Sequence, residues 1–362
     1  FKMLLICNLI FNQLNIISAN TYKIRFNDDG YNHLNELVVK NNYSKFYVLV
    51  DENTKKLCLT RFRTKTSFEF EIIEISSGEV HKNLNTCIDV WNHLTSEDAD
   101  RNCLIINLGG GVITDMGGFI SSTYKRGVDF VNIPTTLLSM VDASIGSKTG
   151  INLSSIKNQI GLFSDPISVI IDEEYLKTLP RREINSGYAE IFKHSLISNS
   201  GFKKLTENPN IVYNEKIIAN SIELKNEIVS EDKFENNVRK YLNFGHTIGH
   251  AVESLFMDKK NKLLHGEAIA IGMICESYLS SKLKGFEMSK VNTIKSHLNK
   301  FFSKVNFSKN DISEVCKLIK YDKKNHLNIP KFVLLKDLGL VDINVDINEG
   351  LISESFVYYL KN

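Results

Sequence analysis

No run of like charges stands out in this chain of 362 residues, and its formal net charge is only +2. Nucleic-acid and membrane-surface binding both draw on a broad basic field, so neither is expected. An anionic ligand would have to be held by a local cluster. No stretch stays apolar for the length that a bilayer crossing requires. Cysteine is sparse as well: Cys7, Cys58, Cys87, Cys103, Cys275 and Cys316 lie far apart and form no C-x-x-C. That spacing excludes a thiolate metal site and fits reduced thiols, hence a cytoplasmic setting. No internal repeat or low-complexity linker interrupts the chain. Residues 1–20 stand apart. Met3–Phe11 is an apolar run behind one lysine, interrupted by Asn8 and without a clear small-residue cleavage site. The run reads either as a weak signal segment or as an extension whose role the pattern leaves open.

Three familiar motifs are missing too. A nucleotide P-loop needs Gly directly before its Lys and another Gly five residues earlier, where this chain has Ser147 and Asp142. G-x-G-x-x-G would need Gly at 114, where Thr114 stands. H-E-x-x-H would need Glu at 247, where Thr247 stands, and this argues against metalloprotease chemistry.

What is present is the balance of an ordinary globular protein, 43% apolar and 24% charged, long enough for two domains. From Thr21 to about Leu179 strand and helix patterns alternate. Tyr22–Phe26, Phe46–Val50, Phe68–Ile75, Cys103–Asn107, Phe130–Ile133 and Ser168–Ile171 read as strands. Residues 21–183 are therefore expected to form an α/β domain with a mostly parallel sheet covered on both faces. Beyond Pro180, Tyr188–Leu196, Ile217–Lys233, Arg239–Met257, Gly266–Leu283 and Asp311–Lys320 read as helices. A strand pair, Phe332–Leu335 and Val341–Val345 about Gly339, precedes a final helix. Residues 184–362 are expected to form a mainly α-helical domain.

Chemistry-bearing residues concentrate in a few places. Val141–Asn152, continued by Lys157–Gly161, gathers Asp142, Lys148, Asn152, Lys157 and Asn158 among glycines. It reads either as an anion cradle or as a solvated loop. Gly109–Gly111 follows a strand and opens a helical run. That suits a dinucleotide pyrophosphate at a helix N-terminus, or a plain tight turn. His246 and His250 lie one turn apart, His265-Gly-Glu267 follows, and Glu190 and Lys193 share an earlier helix face. Two or three imidazoles and a carboxylate suit an open zinc site with a vacant position.

Taken in order, these segments resemble the 3-dehydroquinate synthase family from about Tyr22 to the C-terminus. The matching motifs are Gly109–Asp115, Arg126-Gly-Val128, Pro134–Leu138, Val141–Thr149, Lys157-Asn158, Ala189-Glu190-x-x-Lys193, Glu223-Leu-Lys225, Asn243–His250, His265-Gly-Glu267 and Asp322-Lys-Lys324. The resemblance implies NAD and zinc, or cobalt in its place, as cofactors. It makes Glu190, His246 and His265 the metal ligands and turns His250 toward substrate. It assigns Asp142, Lys148, Asn152, Lys193, Lys225, Arg239 and Asn243 to the hydroxyls and carboxylate of a sugar phosphate. Lys157, Asn158 and one of Lys323 and Lys324 fall to the phosphate. Arg126 matches an arginine that reaches the phosphate site of a neighbouring subunit, which implies a homodimer. For NAD the matches are Asp51, Asn53, Glu79, Lys82, Gly110, Gly111, Asp115, Thr135, Thr136, Leu179 and Glu183.

The implied reaction oxidises the C5 hydroxyl of 3-deoxy-D-arabino-heptulosonate 7-phosphate, eliminates phosphate, reduces the ketone again and closes a carbocycle by an aldol step. The resemblance implies proton relay by His250 with Lys193, assisted by Asp142 and Asn243. Thr114 and Ser147 depart from the family's usual glycines, and Asp129 from a common basic residue. Three other readings compete: a sugar phosphate cyclase with another substrate, a metal-dependent polyol dehydrogenase, and a binding module without turnover.

Overall fold

The computed structural model describes residues 16–154, 156–208, 213–257, 259–320 and 331–361. The chain divides into two compact units, Phe1–Thr178 and Leu179–Asn362.

In the first unit, short apolar segments rich in Val and Ile become buried strands, as β-branched side chains favour. The elements run β1 (Ile16–Ser18), β2 (Lys23–Phe26), α1 (Asn27–Asn41), β3 (Phe46–Asp51), α2 (Glu52–Leu57), α3 (Leu59–Lys65) and β4 (Glu71–Ile75). They continue with α4 (Leu84–Ser96), β5 (Leu104–Gly109), α5 (Gly111–Thr123), β6 (Asp129–Pro134), β7 (Lys148–Leu153), β8 (Ile156–Phe163) and β9 (Ser168–Ile171). Seven strands form one sheet in the order β1-β2-β9-β6-β5-β3-β4. All neighbours are parallel except β1, which pairs antiparallel with β2. The chain passes from β3 outward to β4 and returns to β5 on the other side of β3. Strand order therefore reverses between β3 and β5, whose carboxyl ends carry Asp51 and Gly109. Such a switch point opens a crevice for ligands.

The α5 helix packs Ile113, Met116 and Ile120 against Tyr47, Leu49 and Ile105 of the sheet. Each such side chain contributes roughly 1.5–3 kcal/mol on burial. A Cβ on Gly117 would lie 2.0 Å from the Asn107 carboxamide oxygen, so any other residue there would have to displace the buried Asn107 side chain that bonds Asn132.

The second unit contains α6 (Arg181–Ser198), α7 (Phe202–Glu207), α8 (Glu215–Glu231), α9 (His246–Phe256), α10 (His265–Lys284), α11 (Met288–Leu298) and α12 (Lys309–Lys320). The hairpin β10 (Lys331–Asp337) and β11 (Leu340–Asp346) and then α13 (Glu349–Leu360) complete it. The long α10 is buried along most of its length and packs against α6, α9, α11, α13 and β10. Among the described residues, no helix is long and apolar enough to cross a membrane.

Three sequence expectations change. Arg239–Met257, read as one helix, is a 3-10 turn at Val238–Asn243 followed by α9, because Gly245 between them has φ +80°. The polar stretch after Lys148 is an antiparallel hairpin, β7 with β8, and not a loop. Ile16–Ser18, placed in the extension, joins the sheet as β1.

One buried polar knot ties the first unit together. Asp172, at 0% exposure just past β9, accepts both Arg61 Nε (2.6 Å) and a second guanidinium N–H (3.0 Å). It also accepts the Tyr31 hydroxyl at 3.0 Å. Removing that acceptor leaves the half-buried Arg61 guanidinium unpaired and the Tyr31 hydroxyl with Tyr175 alone, at 2.8 Å, so Asp172→Ala should cost about 1–3 kcal/mol. The midpoint of urea unfolding measures this, and an unchanged midpoint would show that the knot contributes nothing.

Candidate active site

In the second unit, helix crossings bring the sequence-distant chemical residues together. Glycines decide how closely these helices pass. A Cβ on Gly272 of α10 would lie 1.9 Å from the Gly245 carbonyl, and one on Gly249 of α9 would lie 2.6 Å from the Ile269 side chain. A Cβ on Gly266 would lie 2.1 Å from the Ser186 carbonyl of α6, while the Gly266 amide donates to the Ser186 hydroxyl at 2.9 Å. Glu267, next in that motif, accepts the Leu264 amide at 2.8 Å and a paired contact from Arg182, so it starts α10 and pins it to α6.

These crossings converge on Glu190. Its carboxylate is fully buried and bonded to the Lys193 ammonium one turn along α6. Its other oxygen, Oε1, is buried without a hydrogen bond and lies 3.5 Å from both His246 Nε2 and His265 Nε2. His250 completes the cluster, its ring centre 5.1 Å from that of His246 and 5.9 Å from that of His265. Burial would raise the Glu190 carboxyl, but Lys193 and the imidazoles hold it well below the usual carboxylate range. Burial and the Lys193 charge push His246 well below the ordinary imidazole value. At His265 burial acts downward too, yet the Glu253 and Glu190 carboxylates outweigh it and hold the ring up at about 10. A buried carboxylate oxygen without a donor, faced by two ring nitrogens, fits a divalent cation taking two nitrogens and one oxygen.

The sequence-predicted cations of this unit are buried, Lys193, Lys225 and Arg239 at 1%, 6% and 2% exposure, and of these Lys193 is bonded to Glu190. Lys225 comes from α8, Arg239 and Asn243 from the 3-10 turn before α9. The Asn243 amide donates to Glu235 at 2.5 Å, a partner that the sequence did not single out. Leu179 opens the unit and Glu183 sits in the first turn of α6, its carboxyl raised by burial. Lys323 and Lys324 lie outside the described residues.

The first unit gathers a second set. Gly110 caps α5 without a side-chain hydrogen bond, leaving first-turn amides of a thirteen-residue helix for an anion. Thr135 and Thr136 follow β6, with the Thr135 amide on the Gly109 carbonyl. Lys82, 3% exposed, donates to Asp115 and to the Asn158 side chain, both at 2.6 Å. Burial raises the Asp115 carboxyl although Lys82 opposes it. Asn152 donates to Glu79 at 2.9 Å and accepts the Asn158 amide at 2.9 Å, while Lys157 lies 3.8 Å from Glu79. Lys148 begins β7, and Asp142 lies in a π-helical turn, Ser139–Ala143. Asp51 caps α2 through Thr54, and Asn53 is exposed beside it. Arg126 lines a different cavity of about 530 Å³ with Arg101, Asp129 and Asp165.

Each of the three departures from the family pattern has a local partner. The buried Thr114 hydroxyl pairs with Ser139 at 3.2 Å. Ser147 keeps a glycine-like φ of +67°, and its hydroxyl donates to Asp165. Asp129 accepts the Tyr43 hydroxyl at 2.7 Å.

Family comparison decides what this geometry belongs to. The family model described as 3-dehydroquinate synthase N-terminal matches residues 72–186, and the one described as 3-dehydroquinate synthase C-terminal matches residues 187–325. The chain belongs to the 3-dehydroquinate synthase family. It is accordingly an enzyme of the lyase class, catalysing the family's cyclisation. A 3-dehydroquinate synthase from Parabacteroides distasonis is 41% identical over 88% of this chain and 92% of its own length. One from Campylobacter jejuni is 36% identical over 92% and 95%. In fold the chain is similar to a 2-deoxy-scyllo-inosose synthase solved with carbaglucose-6-phosphate, NAD+ and Co2+, at TM-score 0.80 and 23% identity over 94% and 98% of the chains. It is also similar to a 2-epi-5-epi-valiolone synthase from Streptomyces hygroscopicus with NAD+ and Zn2+, at TM-score 0.81 and 22% identity over 96% and 99%.

The contact at Gly272 yields a direct check. Gly272→Ala forces α10 away from the Gly245 turn, at a cost of roughly 1–3 kcal/mol or more. Thermal unfolding should show a lower midpoint; an unchanged one would mean that the crossing tolerates a methyl group.

Proposed function

We propose that the chain converts 3-deoxy-D-arabino-heptulosonate 7-phosphate into 3-dehydroquinate and phosphate, with Glu190, His246 and His265 holding zinc or cobalt. The observation that carries the metal assignment is the donorless, buried Glu190 Oε1 faced by two imidazole Nε2 atoms at 3.5 Å. When bound, NAD supplies reversible hydride removal at the C5 carbinol, and the cation polarises the oxygen there.

The residues of the chain divide the remaining work. Gly110 and Gly111 offer amides to the dinucleotide pyrophosphate at the start of α5, as the uncapped helix terminus supports. Asp51, Asn53, Glu79, Lys82, Asp115, Thr135, Thr136, Leu179 and Glu183 are assigned to the same cofactor. Lys157 and Asn158 hold the phosphate with Arg126 of a second copy and with Lys323 or Lys324, so the reading implies a homodimer. Lys148, Asn152, Lys225, Arg239 and Asn243 take the hydroxyls and carboxylate. The buried cations among them suit a carboxylate drawn out of water. With C5 oxidised, the C6 proton becomes acidic and phosphate leaves by β-elimination. His250 and Lys193, with Asp142 and Asn243, hold and move the proton at the C5 oxygen. Buried free thiols at Cys58, Cys87, Cys103, Cys275 and Cys316 suit the reducing cytoplasm in which we place the protein.

Phosphate release from the heptulosonate phosphate should require both NAD and zinc, fail after chelation and leave no net NADH. NADH accumulating without phosphate would instead indicate a polyol dehydrogenase. Silence in both channels would point to another sugar phosphate or to a binding module. Lys157→Ala should raise the apparent KM well above its effect on kcat, and an unaltered KM would remove Lys157 from the phosphate site.

A further inference from the structure

The two ring nitrogens of His265 face different carboxylates. Nε2 lies 3.5 Å from Glu190 Oε1, while Nδ1 lies 3.4 Å from Glu253 Oε2. Glu253 sits on α9, one turn beyond His250, and its side chain is only 8% exposed. His246 repeats the arrangement with a weaker acceptor: its Nε2 faces Glu190, and its Nδ1 is 3.1 Å from the Phe244 carbonyl. Each imidazole turned toward Glu190 is thus backed at its far nitrogen by a protein oxygen. One backing group is a fixed peptide carbonyl and the other a carboxylate.

We propose that Glu253 is a positioning residue of the metal centre, acting through His265. Resting on the reading that His265 is a ligand, the proposal gives Glu253 two tasks. It accepts the Nδ1 proton, which leaves Nε2 as the ring's lone-pair nitrogen and fixes the plane in which it points at Glu190. Its negative charge also makes the ring a stronger donor than a carbonyl-backed imidazole. Burial of a carboxylate is costly without such a partner. The competing arrangement makes Glu253 a ligand itself, because His250, Glu253 and His265 bring one ligand atom each to within 4.8 Å of one another. Stoichiometry separates the two: positioning requires one ion per chain, and ligation in a second centre requires two.

The test uses the full-length protein stripped of metal and titrated with Co2+ against a competing chelator, alongside its visible spectrum. Glu253→Ala should weaken cobalt binding about 10- to 100-fold and alter the ligand-field bands. Binding should remain at one ion per chain, with the metal-free unfolding midpoint as the control for a merely structural loss. Glu253→Gln keeps the shape and an acceptor but loses the charge. It should fall between wild type and Glu253→Ala, and it carries the test if Glu253→Ala fails to fold. Wild-type affinity and spectrum in either variant overturn the proposal, as do two ions per wild-type chain with one lost in Glu253→Ala. His265→Ala distinguishes the levels. If it too retains cobalt, the underlying ligand assignment fails; if it alone loses cobalt, only the role of Glu253 does.

Discussion

The second unit depends on one costly burial. A carboxylate at 0% exposure is tolerable only where charge and hydrogen bonding replace its lost water, and Glu190 has the Lys193 ammonium for one oxygen. The other oxygen is left to two imidazoles that cannot satisfy it from 3.5 Å. That shortfall is what the proposed cation would make good. An arrangement complete without a cation would have little reason to keep an oxygen without a donor. The two histidines behave in opposite ways because burial and the Lys193 charge prevail over Glu190 at His246, whereas at His265 Glu253 joins Glu190 and the two carboxylates outweigh burial.

Holding three helices at that separation is mainly a matter of glycine. The Gly245, Gly249, Gly266 and Gly272 positions lie where side chains would collide with a neighbouring helix. Glu276, fully buried on α10, accepts the amides of Gly245 and Ile248 and so satisfies the start of α9. The residues that bear chemistry are therefore held by others that bear none.

In the first unit the organising constraint is the reversal of strand order beside β5. It puts Asp51 and the Gly109–Gly111 turn at the ends of neighbouring strands, and the Lys82–Asp115 pair extends that polar edge to the β7–β8 hairpin through Asn158. Asn158 holds a left-handed φ of +48°, and its backbone N–H donates a hydrogen bond to the Asn152 side-chain oxygen. Groups assigned to the cofactor and groups assigned to the phosphate thus share one hydrogen-bonded network. Ser147 shows how a departure is absorbed, its strained backbone accompanied by a hydroxyl bond to Asp165.

Local pattern was enough for the parallel α/β sheet, for most helices of the second unit and for the family. Buried strands read as apolar runs, helices as a spaced stripe, and His246, His265 and Glu190 as ordered motifs. The sequence did not disclose the β7–β8 hairpin, because its polar residues and glycines read equally well as a loop. It missed the break before α9, because apolar spacing continues through Gly245 while the backbone does not. Glu253, Glu276 and Glu235 belong to none of the motifs singled out in the sequence. Their partners lie on other elements or across a turn, and only packing brings a particular oxygen to a particular nitrogen. Residue types and spacing determined which chemistry was available; the helix crossings decided which atoms meet, because contact between distant segments is a property of the folded chain.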